Sequence, residues 1–133
     1  MLDKKDLEES RSIIQKLVKD GKIINPPSNQ KSFFLDKAIN SLQVSKRLLG
    51  LAEEENLDTC MWVINTSYYS MFFAAISLLA YSNKKIKSEI GVHKLTYHAL
   101  VYYFVIEDNK LQKQFIEQYK DAYNDAEQLL QIA

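Results

Sequence analysis

The alternation of apolar and polar positions divides the chain into five stretches with helical spacing, separated by short polar breaks. In residues 3–20, Leu7, Ile14, Leu17 and Val18 share one face, and Gly21 is a natural C-terminal stop. Residues 30–55 repeat Leu35, Ala38, Ile39, Leu42, Leu48, Leu49 and Ala52 at helical spacing. Ser41 and Ser45 lie near that face and would let a neighbouring helix come close. Residues 58–83 form the organising stretch. Between Thr59 and Asn83 there is no charge, and no Gly or Pro interrupts the run, so apolar side chains fall on nearly every side of one long helix. Residues 91–105 make a fourth helix with an aromatic second half. Residues 110–130 make the last, where Leu111, Phe115, Tyr119, Ala122, Ala126 and Leu129 form the cleanest amphipathic stripe.

A helix apolar all round is either the central member of a bundle or a membrane span. The flanking charges, acidic at Glu53–Glu55 and Asp58 and basic at Lys84, Lys85 and Lys87, would suit a span. Asn65, Thr66, Ser67 and Ser70 oppose it, because polar side chains in lipid are costly without partners. The remaining helices are amphipathic, as in a bundle that wraps one greasy helix. The soluble core is therefore the expectation and a membrane-associated helical protein the remote alternative. Trp62, Phe72, Ile76 and Leu79 are expected in the core, with Cys60 as a small buried residue. Apolar surface left over by the thin amphipathic neighbours predicts self-association. Asn25-Pro26-Pro27 cannot continue a helix, so residues 1–29 read as an N-terminal helix and linker, and residues 30–133 as the bundle proper. The fold class is all-α: an up-and-down four-helix bundle with an additional N-terminal helix.

The sequence's 133 residues suit one domain with a real core. Net charge is zero, with 17 basic and 17 acidic residues, so nucleic-acid contact needs a local patch. A single cysteine excludes an intrachain disulfide and a cysteine zinc site. No apolar leader follows the start, and a cytoplasmic protein is expected. No Gly-rich phosphate loop and no serine or cysteine nucleophile motif is present. His93 and His98 are five apart, about 140° around a helix, and cannot easily share a metal. Glu89 and His93 are four apart, but Gly91 lies between them near the helix start. No metal or cofactor is expected. The suggestive feature is basic: Lys84, Lys85 and Lys87 in one loop, then His93 and Lys94 at a helix start whose free N–H groups attract phosphate. A solubilising loop is the bland reading of the same residues.

Trp62, the run Ser67-Tyr68-Tyr69-Ser70-Met71-Phe72-Phe73-Ala74-Ala75 and Leu78-Leu79 resemble the signature helix of HEPN domains, which reads roughly W-x5-YYSMFHAARALL. Lys87-Ser88 and His93 resemble the family's lysine–serine–histidine step into the next helix, and Leu17 to Ile23 the lead-in of some members. The resemblance implies an all-α bundle, commonly a homodimer, often paired with a minimal nucleotidyltransferase as a toxin–antitoxin module. Active relatives are metal-independent RNases with an R-x4-6-H motif, in which Arg holds phosphate and His supports attack by the ribose 2′-OH. This chain departs from that motif. Its arginines are Arg11 and Arg47, neither with His at the required spacing, and Thr66 and Phe73 stand at the positions usually held by Arg and His. Lys87-x5-His93 is the nearest imitation, and Lys lacks the bidentate fork of Arg. The expectation is a non-catalytic binding or partner module, with nucleotide or RNA contact through Lys84, Lys85, Lys87, His93 and Lys94. The alternative is a divergent RNase toxin using His93 with Lys87.

Overall fold

A computed structural model describes residues 2–88, 90–111 and 113–130, the side chain of Leu130 excepted. The chain is all-α, with helices α1 (Lys4–Lys19), α2 (Gln30–Glu54), α3 (Cys60–Tyr81), α4 (Val92–Val101) and α5 (Lys113–Leu130). Helices α2–α5 are the four bundle helices and α1 the additional N-terminal one. Two differences from the sequence expectation concern the connections. Tyr102–Glu107 continues α4 as a π-helix instead of α-helix. The lysine loop is not free coil: β2 (Lys85–Ile86) pairs antiparallel with β1 (Ile23–Ile24), with Ile23 opposite Ile86 and Ile24 opposite Lys85. The Lys87 amide extends the pairing by donating to the Lys22 carbonyl at 2.7 Å. Three of the four paired residues, Ile23, Ile24 and Ile86, are β-branched, which suits this ladder.

Local chemistry sets the helix ends. Asp3 caps α1 through a reciprocal box, its carboxylate accepting from the Asp6 amide at 2.9 Å while Asp6 accepts from the Asp3 amide at 3.1 Å. That hydrogen bond to the Asp6 backbone holds the Asp3 carboxyl below its ordinary range. Gly21, Asn56, Asn83 and Asn109 all have positive φ, each one residue past a helix C-cap. Gly tolerates that conformation for lack of a Cβ, and Asn is among the few other residues that enter it readily. After α3, the Asn83 amide donates to the Ala80 carbonyl at 3.0 Å and the Lys84 amide to the Leu79 carbonyl at 2.9 Å. This double closure aims the lysine loop back across the bundle.

Helix α3 is the spine. It packs along α2 on one side and against α4 and α5 on the other, while α1 lies on α4 and its π extension. Ile14, Tyr68, Phe72, Leu79, Leu100, Phe104 and Ile116 belong to one shared core, so α1 contributes to the same interior as the bundle. Among the described residues α3 is the one helix long and apolar enough to cross a membrane by length and composition.

Helices α2 and α3 meet through small polar residues. Ser45 Oγ and Ser67 Oγ lie 2.5 Å apart, Ser70 Oγ donates to the Ala38 carbonyl at 2.7 Å, and Ser77 Oγ donates to the Lys31 carbonyl at 2.6 Å. Descending partners on α2 for ascending residues on α3 make the pair antiparallel. The serines read in the sequence as a cost to burial are thereby satisfied by the neighbouring helix.

The same packing corrects several expectations. On α2 the buried seam is Ala38 and Ser45, while Leu35, Ile39, Leu42 and Leu49 are exposed. Small side chains win the interface because they allow close approach, and the larger ones are turned outward. Trp62, expected in the core, lies in the first turn of α3 and is 53% exposed. Cys60 is exposed there too. Phe72 and Leu79 are buried as expected, and Ile76 is half-buried. On α5 Tyr119 and Ala126 are buried as expected, with Ile116 beside them, whereas Phe115 and Leu129 face outward.

Candidate functional site

Lys84 and Lys85 stand at the rim of a cleft of about 230 Å³. Gln30 and Phe34 from the start of α2, Ile76 and Leu79 from α3, and Ile86, Ser88, Val92 and Thr96 line it with them. The cleft is amphipathic, lined by aliphatic and aromatic side chains together with two lysines and two hydroxyl residues. Lys84 occupies the second position past the α3 C-cap, and its Nζ lies 5.2 Å from the centre of the Tyr103 ring. An ammonium over an aromatic face is held by the ring quadrupole. Lys85 is held by the β ladder, so two of the three loop lysines have anchored backbones facing one cleft. Lys87 is exposed, one residue beyond the ladder. Ser88 is turned locally, its hydroxyl donating to the Ile90 carbonyl at 2.8 Å.

His93 and Lys94 separate from this group. His93 points inward against α3: its ring stacks on Phe72 with centroids 4.1 Å apart, and Tyr68 Oη lies 2.6 Å from its Nδ1. Burial raises the Tyr68 phenol far above its usual range and lowers the His93 imidazole. Tyr68 is therefore the donor, Nδ1 the acceptor, and His93 neutral near pH 7. A neutral imidazole adds no positive charge to attract phosphate. Tyr69, Tyr119 and Tyr123 complete an aromatic cluster around Tyr68, in which the Tyr119 hydroxyl is buried without a hydrogen-bond partner among the described residues. Lys94, the next residue on α4, lines a different pocket with His98 and Lys120. One turn of helix thus sends adjacent residues to opposite surroundings, inward and outward.

Of the five basic and imidazole residues singled out in sequence, Lys84 and Lys85 line the cleft, His93 joins the aromatic cluster, Lys94 lines a second pocket, and Lys87 is exposed and lines neither pocket. Gln30, Phe34 and Thr96, which also line the cleft, carried no signal along the chain. They come from α2 and α4 and are assembled only by packing. Glu89, four residues before His93, lies outside the described residues. Among the described residues no group of three His, Cys, Asp or Glu side chains is placed to hold a metal ion. Comparison with known proteins returns no match: no family model, no curated protein and no solved structure is significantly similar to this chain.

Proposed function

We propose that this protein is a HEPN-type helical binding module, homodimeric and non-catalytic, that holds a nucleotide or a nucleotide of RNA in the cleft beneath Lys84 and Lys85. The observation that carries the reading is the cleft's division into two chemistries. Phe34, Ile76, Leu79 and Val92 offer an apolar bed on which a base can rest, and Lys84 and Lys85 on the same cleft would receive its phosphate. The resemblance of the α3 signature to HEPN domains supports the class, and with it a cytoplasmic two-component module whose second member is a minimal nucleotidyltransferase. Catalysis is not part of the proposal. No arginine is among the described residues that line the cleft, and His93 already receives a hydrogen bond from Tyr68.

Binding of a fluorescent single-stranded RNA and of ATP, followed by anisotropy over a range of salt, tests this reading. Affinity is expected to fall with salt, with a log–log slope of about −0.7 for each phosphate contact. A Lys84→Ala, Lys85→Ala, Lys87→Ala triple variant is expected to bind at least tenfold more weakly while melting like the parent. Equal binding by parent and variant would remove the cleft from the proposal. RNA turnover that vanishes in His93→Ala would replace it with a divergent RNase using His93 and Lys87.

A further inference from the structure

A second pocket, of about 240 Å³, lies where α1, α4 and α5 meet. Each helix contributes one polar stripe. Lys94 and His98 are one turn apart on α4; Lys120, Asn124 and Glu127 follow at helical spacing on α5; Asp6 and Glu9 come from α1. None of these residues belongs to the cleft at Lys84 and Lys85, so the two sites stand or fall separately.

The base of this pocket is a built feature. His98 is only 5% exposed, and its Nδ1 lies 2.8 Å from Ser10 Oγ, which is 1% exposed. A buried hydroxyl needs an acceptor for its proton. Nδ1 is the one hydrogen-bond partner of the Ser10 hydroxyl among the described residues, so Ser10 donates and Nδ1 accepts. The ring proton is then on Nε2. No protein group among the described residues accepts it, and Nε2 is not among the fully enclosed unpaired atoms, so it opens toward the pocket. Burial is the largest influence on the imidazole and lowers its pKa, with Lys94 and Lys120 acting in the same direction and Glu9 opposing. The ring is a neutral, fixed N–H donor between two ammonium groups. Lys120 is itself steadied over the Tyr97 ring, 5.5 Å from its centre.

The two signs of charge in this pocket have no mutual ion pairs within 4.0 Å among the described residues. Lys94 and Lys120 are not closed against Asp6, Glu9 or Glu127, so both sets remain available to a guest, Asp6 through the carboxylate oxygen that does not accept from the Asp3 amide. A lone anion would meet three carboxylates as well as two lysines, and a lone amine the reverse. A guest bearing both charges satisfies both sets. We propose that this pocket binds a compact zwitterion of the free α-amino acid class. Its carboxylate is received by His98 Nε2–H with Lys94 and Lys120, and its ammonium by Glu9 with Asp6 and Glu127.

The test uses isotope-labelled full-length protein in solution. A long-range proton–nitrogen spectrum reads the His98 tautomer, which is expected to carry its proton on Nε2. Free glycine, L-alanine and L-glutamine are then titrated, with propionate and ethylamine as guests of a single charge. At least one amino acid is expected to give saturable shifts at His98 and Asn124 and to bind at least tenfold more tightly than either control. Lys120→Ala and Glu9→Gln, both at exposed positions, are each expected to weaken it tenfold without lowering the melting temperature. A ring proton on Nδ1 would overturn the proposal. So would propionate binding as well as every amino acid, or the absence of saturation with all three.

Discussion

Phe72 and Trp62 stand in the same helix with opposite surroundings, Phe72 6% exposed and Trp62 53%. Phe72 is enclosed by Tyr68, Tyr69, Phe73 and His93. Its truncation to alanine leaves a cavity, and a loss of about 3–5 kcal/mol in unfolding free energy is expected from denaturant titration. Trp62→Ala removes an exposed ring, and a change within about 0.5 kcal/mol is expected at a concentration where the chain is monomeric. Equal losses at the two sites would contradict the placement of α3. The two histidines add a pH dependence. Both imidazoles are lowered below 6.5, with burial the leading cause. Each group is neutral in the fold and must give up that preference when acid charges it. The stability it contributes is complete above the unfolded pKa of about 6.5 and is lost as pH falls from there through the lower folded value. Melting temperature is thus expected to drop between pH 7 and pH 5, and titration of the imidazole resonances should show midpoints below 6.5. Midpoints above that value would remove the argument.

At the scale of elements, the α2–α3 seam explains a sequence that looked too polar for its place. Ser70 and Ser77 each donate to a carbonyl of α2, and Ser45 meets Ser67 one turn further toward the start of α3. Ser77 is 2% exposed, so a larger side chain there has nowhere to go. Ser77→Val both removes the hydrogen bond and adds bulk at a close approach. Losses of about 1 kcal/mol for the bond and about 1–3 kcal/mol for overpacking are expected in thermal or denaturant unfolding. Ser77→Ala should show only the first part. A valine variant as stable as the parent would mean that the helices do not approach as described. The periodicity of α2 was legible in the sequence, yet it did not say which side would be buried. Leu35, Ile39, Leu42 and Leu49 make the stronger apolar stripe, and Ala38 and Ser45 won the interface. Hydrophobicity ranks side chains by the benefit of leaving water, whereas two backbones crossing closely select by size.

At the scale of the whole molecule, that outcome leaves α2 packed extensively on α3 alone, with a leucine-rich stripe facing outward. Leu35 is 39% exposed, Ile39 49%, Leu42 45% and Leu49 51%. Exposed apolar side chains on one side of a helix of 25 residues are the kind of surface that associates. Sedimentation at tens of micromolar, about the concentration at which a micromolar dimer is largely formed, is expected to show a dimer. Leu42→Glu with Leu49→Glu is expected to return the monomer without lowering helix content. A parent chain that sediments as monomer throughout would remove self-association from the proposed function.

Taken along the chain, local periodicity and end signals determined the five helices, the N-terminal extension and the central place of α3, because they depend on neighbours within a few residues. Gly21 as a stop and the break at Glu107–Asn109 are of this kind. Loop lysines beside a greasy helix were legible too. The partition of the basic residues was not. Lys84 and Lys85 share a cleft with Phe34 and Gln30 because the start of α2 packs on the end of α3 and β1 pairs with β2 across more than sixty residues. His93 and Lys94, adjacent in sequence, are divided by the direction in which each leaves α4, and that direction has meaning only once α3 and α5 are packed beside it. The pocket at His98 draws on three helices and on a serine 88 residues away. Short-range order follows from backbone geometry and side-chain period. Which side chains share one volume is decided by how helices choose their contact faces, and that choice belongs to the assembled tertiary structure.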